Sequence, residues 1–169
     1  MFAFALFNKK ERTLILARDK YGIKPLYYWD NGKVFIFASE IKAFLPNPEF
    51  KAGLDLEVLF EYFTFQNTFT NKTLFKGVKL LPAATILQIT TDNGGQKIIR
   101  KYWDFNFSED TRAKSDVEYV EEFQRIFKKA VKRQLSSDVE VGSYLSGGID
   151  SSSIVAITSR HLKELKTFC

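Results

Sequence analysis

Tyr144-Leu145-Ser146-Gly147-Gly148-Ile149-Asp150-Ser151-Ser152 is the stretch whose reading decides the fold. Upstream, Val139 to Leu145 is a short β-branched, apolar run, which predicts a strand. Downstream, Ser153 to Ile157 opens an apolar pattern that predicts a helix to about Leu165. Two glycines, three serines and one carboxylate thus fall at a strand-to-helix turn. Such a turn can hold an anion, because backbone N–H groups point outward there and the helix dipole favours negative charge. The loop has neither the lysine and spacing of a Walker loop nor the G-x-G-x-x-G of a dinucleotide fingerprint. Gly147 and Gly148 permit positive φ and close approach of a ligand. Ser146, Ser151 and Ser152 offer hydroxyls, and the N–H groups after Asp150 are free at the helix start. Pyrophosphate can be held this way without a lysine. Asp150 can set a divalent cation against the phosphates. The bland alternative is that Asp150 and Ser151 are ordinary helix caps behind a flexible glycine pair.

Working back from the loop, Ser115-x-x-Glu118 is a capping-box signature. Val120, Phe123, Phe127, Ala130, Val131 and Leu135 follow it at helical spacing, predicting a helix over about Asp116–Leu135. Helix, strand, glycine turn and helix together make the start of an α/β unit. It shows one clear strand, and one strand cannot make a parallel sheet. The polar, aperiodic stretch 106–114 reads as a linker.

The first hundred residues read as β-rich. Phe2–Phe7 and Thr13–Arg18 predict a hairpin across Asn8–Arg12. Tyr21–Pro25 is a turn. Leu26–Trp29 and Val34–Ala38 predict a second hairpin across Asp30-Asn31-Gly32. Ser39–Leu45 makes one or two helical turns, and Asp55 opens a helix with Leu56, Leu59, Phe60 and Phe63 on one face. Thr73–Val78 reads as a loop with a short strand. Thr85–Thr91 is an alternating strand that turns at Asp92-Asn93-Gly94-Gly95 into Lys97–Tyr102.

Hydrophobic residues make up 45% of the 169 and charged residues 27%, which excludes a disordered or fibrous class. The 17 Phe, 7 Tyr and 2 Trp demand burial, in this chain or against a partner. The net charge of +5 is spread among acids, so a nucleic-acid partner is not expected. The single cysteine, Cys169, rules out a disulfide framework and suits a cytoplasmic location. No apolar run reaches membrane-spanning length, and Met1–Phe7 lacks the basic lead-in of a signal peptide. No membrane partner is expected.

Ser146-Gly147-Gly148-Ile149-Asp150-Ser151 resembles the S-G-G-x-D-S loop of the PP-loop ATP pyrophosphatases. The first half of the chain selects among them. Phe2–Leu6, Ala17–Tyr28, Phe37–Ala43, Leu80-Leu81-Pro82, Tyr102-Trp103-Asp104 and Ser137–Gly142 resemble glutamine-hydrolysing asparagine synthetase, in that family's order. The resemblance implies an α+β part at 1–105, a portion of an αββα Ntn-hydrolase glutaminase sheet. It implies that 115–169 starts an α/β PP-loop domain. It implies two coupled reactions: glutamine is hydrolysed to ammonia, and ATP adenylates the side chain of aspartate, which ammonia then attacks, releasing AMP and pyrophosphate. ATP and Mg are the implied cofactors. Leu145, Ser146, Gly147, Gly148, Ile149, Asp150, Ser151 and Ser152 are the implied pyrophosphate-binding residues, with Asp150 the candidate for Mg. Aspartate, glutamine and ATP are the implied small-molecule partners, and a homodimer the implied assembly.

The chain departs from the family at both ends. In the family the cysteine nucleophile follows the initiator methionine; here residue 2 is Phe2, and Met1 aligns with an internal position before F-A-F-A-L, so no catalytic residue is assigned. Cys169 has no base beside it, and His161 reads as a surface residue of a polar helix. The expectation is an internal piece of a longer, cytoplasmic ligase, inactive alone. Arg18, Asp19, Ser39 and Glu40 either brace the ammonia route or form structural ion pairs and strand-end caps. Phe60, Tyr62, Phe63 and Phe65 read as core or interface. A sibling acting on another carboxylate, such as a β-lactam synthetase or peptide cyclase, and a non-catalytic scaffold are the alternatives.

Overall fold

A computed structural model describes residues 1–91, 95–108 and 114–169. Most of the expected turn at Asp92–Gly95, and 109–113 of the expected linker, lie outside the described residues. The chain divides into two units, Met1–Phe107 and Ser108–Cys169. Among the described residues, no helix is long and apolar enough to cross a membrane.

The first unit is built from two antiparallel sheets. Strands β1 (Ala3–Asn8), β2 (Thr13–Arg18), β6 (Thr85–Thr90) and β7 (Lys97–Lys101) form one, in the order β1-β2-β6-β7. Strands β3 (Tyr27–Asp30), β4 (Phe35–Ala38) and β5 (Lys79–Leu80) form the other, in the order β4-β3-β5. Both expected hairpins are present, with Leu6 opposite Ile15 and Tyr28 opposite Phe37. The strand expected within 73–78 lies instead at Lys79–Leu80, where it pairs with Tyr27 and Tyr28.

Alternation along β3 and β4 sorts side chains to two faces. Tyr28, Phe35 and Phe37 join Leu16, Leu26, Leu81, Leu87 and Ile89 in the core between the sheets. Tyr27, Trp29, Ile36 and Ala38 face the other way, onto Phe44, Phe50 and Val78. Phe44 comes from a 3-10 turn at Ile41–Phe44, the short helical segment expected after β4. Leu16, Leu81 and Phe44 are wholly buried, and each contributes on the order of 1.5–3 kcal/mol.

Helix α1 (Leu56–Phe65) is capped by Asp55, whose side chain accepts from the Val58 N–H. Its expected apolar face is only partly covered within the unit: Leu59 is half-buried, Leu56, Phe60 and Phe63 are exposed, and Val58 is the buried residue. Phe60, Tyr62, Phe63 and Phe65 are therefore not core of this chain. The spacing identified a helix, but the turn that packs it inward is set by Val58 rather than by the larger side chains.

In the second unit, helix α2 (Asp116–Arg133) starts with the expected capping box, Ser115 accepting from the Glu118 N–H while Glu118 accepts from the Ser115 N–H. Strand β8 is shorter than expected, Gly142–Tyr144, and helix α3 runs Ile149–Thr158 rather than from Ser153 to about Leu165. The helix stops early because the chain must reverse to form β9 (Lys166–Phe168), which runs parallel to β8 and pairs Gly142 with Lys166. A second strand is therefore present where the pattern showed one. Three residues are too few to display a period of two. Phe168 packs so closely over Gly142 that a Cβ there would lie 2.9 Å from its ring.

Candidate functional site

The loop 145–152 begins where β8 ends. The Leu145 N–H donates to the Phe168 carbonyl at 2.7 Å, so β9 carries the ladder one residue past β8. Gly147 then takes φ +82°, a left-handed conformation costly for any side chain. No atom lies within 4 Å of where its Cβ would be, so the requirement there is conformational and not one of space. Gly148 is extended and is the residue that opens α3. A Cβ on Gly148 would meet only Ser146 Oγ, at 3.6 Å, an ordinary contact.

Ser151 holds the loop shut. Its hydroxyl donates to the Gly148 carbonyl at 3.1 Å, accepts from the Ser146 N–H at 3.3 Å, and lies 3.1 Å from Ser146 Oγ. The first intrahelical bond runs from the Ser152 N–H to the Gly148 carbonyl. The N–H groups of Ile149, Asp150 and Ser151 precede it and have no helical carbonyl to reach. No side chain caps α3. The reading of Asp150 and Ser151 as ordinary caps therefore does not hold: Gly148 is the cap residue, Asp150 forms no ion pair or hydrogen bond among the described residues, and Ser151 bonds back into the loop. The carboxylate at the second helical position still interacts favourably with the helix dipole. Ile149 is 85% exposed, and residues 146–150 all lie at the surface.

The latch role of Ser151 was not legible in advance. It depends on the five-residue separation from Ser146 spanning the helix start, and the apolar pattern that signals the helix opens only at Ser153, beyond both serines.

The residues of the first unit behave differently. Arg18 is buried and donates to three carbonyls, of Lys24 at 2.7 Å, Leu81 at 2.7 Å and Gly22 at 2.5 Å. Burial lowers the guanidinium from its ordinary value, against the raising effect of Asp19 and Tyr27. Asp19, 5% exposed, accepts from the N–H groups of Phe2, Tyr21, Ile23 and Lys24. Burial pushes this carboxyl up, but bonds from Ile23, Lys24, Phe2 and Tyr21 outweigh it and hold it at about 2. Arg18 and Asp19 do not pair with each other. Each clasps main chain, tying β1, the 19–24 turn and Leu81 together. Glu40 pairs with Lys42 on the surface, at 2.5 Å.

His161 is exposed, in the turn after α3 and not in a helix. Cys169 is exposed and free. Among the described residues, no three His, Cys, Asp or Glu side chains gather as a metal site.

Residues 1–103 match the glutamine amidotransferase domain family, and residues 122–169 match the asparagine synthase family. The chain belongs to the glutamine-hydrolysing asparagine synthetase family. It is 41% identical over 165 residues to asparagine synthetase [glutamine-hydrolyzing] 3 of Bacillus subtilis, covering 97% of this chain and 26% of that protein. It is 37% identical over 168 residues to asparagine synthetase [glutamine-hydrolyzing] 1 of the same organism, covering 99% and 26%. It is 35% identical over 167 residues to amidase chyE of Penicillium rubens, covering 96% and 24%. The chain thus spans about a quarter of the length of these relatives. The antiparallel sheets and helix α1 of the first unit accord with an α+β glutaminase class.

Proposed function

We propose that residues 145–152 grip the pyrophosphate of ATP in a synthetase that makes asparagine from aspartate, with ammonia from glutamine. The observation that carries this reading is the set of unused donors at an exposed helix start: a left-handed Gly147, an extended Gly148, and a first helical turn without a side-chain cap. The Ile149, Asp150 and Ser151 N–H groups would receive the β- and γ-phosphate oxygens, with Ser146 and Ser152 adding hydroxyl donors. Donors fixed before the reaction stabilise the charge that gathers on pyrophosphate as it leaves the α-phosphate. Ser151, committed to the Gly148 carbonyl, keeps the loop in shape.

Asp150 fits Mg of the kind held jointly with phosphates. Mg is usually bound by one or two carboxylates together with substrate oxygens, and Asp150 is a single exposed carboxylate with no partner of its own. When bound, Mg would neutralise phosphate charge. Residues 1–105 belong, in this reading, to the glutaminase part and 115–169 to the start of the PP-loop domain, joined by 106–114.

Two measurements test the proposal. Titrating the chain with ATP and Mg should shift the backbone amide resonances of 146–152. A protein containing this chain, supplied with ATP, Mg, aspartate and glutamine, should release AMP and pyrophosphate, and Ser146→Ala or Asp150→Ala should abolish that release while sparing glutamine hydrolysis. ATP binding without pyrophosphate release would favour a scaffold, and release only with another carboxylate would favour a sibling synthetase.

A further inference from the structure

The last turns of α2 and α3 lie side by side and enclose a groove of about 400 Å³, lined by Lys128, Lys129, Lys132, Ile157, Arg160 and His161. All four cations are exposed, none forms an ion pair among the described residues, and no carboxylate lines the groove. In the sequence three of these charges fall within Lys128–Lys132, and the fourth, Arg160, lies far along the chain. Folding gathers them.

Basic side chains near helix C-termini have an ordinary explanation, since they balance the dipole, and Lys132 does sit in the last turn of α2. The magnitudes show what that explanation leaves over. Two helix ends supply about half a negative charge each, against four full positive charges, so an excess of about three remains. Each exposed cation is worth little to a singly charged ligand. A ligand with several charges close together draws on all of them. Three of the four cations are lysines, which act as point charges rather than planar forks, so the density of negative charge on the ligand, not a bidentate fit, decides what binds, and a phosphate chain is the densest common source.

We propose that this groove is a second anion site, at the opposite end of α3 from the glycine loop, and that it takes a short phosphate chain carrying about three or more negative charges. Ile157 and the lysine stems line it, and the four cations would surround the phosphates. The site is independent of the loop 145–152, because it shares no residue with it.

Tripolyphosphate, added to the 169-residue chain without Mg, is the probe. Amide resonances of Lys128–Lys132 and Arg160–His161 should shift, with an affinity that falls steeply as salt rises. Lys128→Gln with Lys132→Gln should weaken this binding about ten-fold, corresponding to two lost charge contacts. The double variant should leave the Ser146–Ser152 shifts with ATP and Mg unchanged, which separates failure here from failure of the loop. ATP added in place of tripolyphosphate separates a nucleotide source from a free one: shifts in the groove with both support recognition of the chain itself. Shifts confined to Ser146–Ser152, unchanged affinity in the double variant, or tighter binding of polyglutamate or of an RNA oligonucleotide would overturn the proposal.

Discussion

Two strands end in glycine turns, β2 at residues 18–25 and β8 at residues 145–152. Each turn contains one aspartate and one left-handed glycine, Gly22 at φ +64° and Gly147 at φ +82°. Their uses of these parts are opposite. In the first, Asp19 is buried and accepts four N–H bonds, and Arg18 is buried and donates to three carbonyls. In the second, Asp150 bonds to nothing among the described residues, and three N–H groups at the helix start have no helical carbonyl to reach. A turn whose polar groups are all satisfied internally holds the fold. A turn that leaves them unsatisfied at the surface has capacity for a ligand.

The largest effect expected from breaking this contrast is at Asp19. Asp19→Ala strands buried donors and should cost roughly 3 kcal/mol or more, read as a lower urea midpoint. The same group makes the fold sensitive to acid. Its carboxyl is held at about 2, below its ordinary 3.8, so its stabilising contribution is complete above pH ~4 and is lost as pH falls toward 2. Thermal melts across that window should show the loss in the wild type, and Asp19→Asn should flatten it.

The two glycines sharpen the comparison at smaller cost. Gly147→Ala meets only backbone strain, about 1–2 kcal/mol, because the space around it is open. Gly22→Ala adds a collision, since its Cβ would lie 3.0 Å from the Arg18 guanidinium, and should lower the melting temperature more than Gly147→Ala does. Equal shifts for the pair would show that crowding around Arg18 contributes nothing. The smallest effect belongs to Asp150→Ala, within about 0.5 kcal/mol of wild type in chemical unfolding, as for an exposed residue without partners. A loss comparable to that of Asp19→Ala would mean that the loop is structural after all.

The hairpins, the capping box at Ser115 and the strand-to-helix placement of the glycine loop were legible because each has a local signal: a turn pair, a fixed three-residue spacing, a change of period. The exposure of Phe60 and Phe63 was not, because helical spacing reports a face without reporting what covers it. Strand β9 was hidden by its length and by continuity with a helical pattern through Leu162 and Leu165. The clasp at Arg18 and Asp19 was open between brace and ion pair. What decides it is the return of Leu81 and of the first strand to the same turn, and no local pattern carries that.

The pairing of β2 with β6 sets Leu16 opposite Leu87, contacts far apart along the chain, whereas β8 meets β9 within some twenty-five residues. Closing the longer loop comes before any of its core contacts can form, so the first unit should acquire its structure more slowly than the second. Both tryptophans, Trp29 and Trp103, belong to that slower unit. Intrinsic tryptophan emission therefore times the assembly of the sheets and is silent about the glycine loop, whose formation needs a probe of its own.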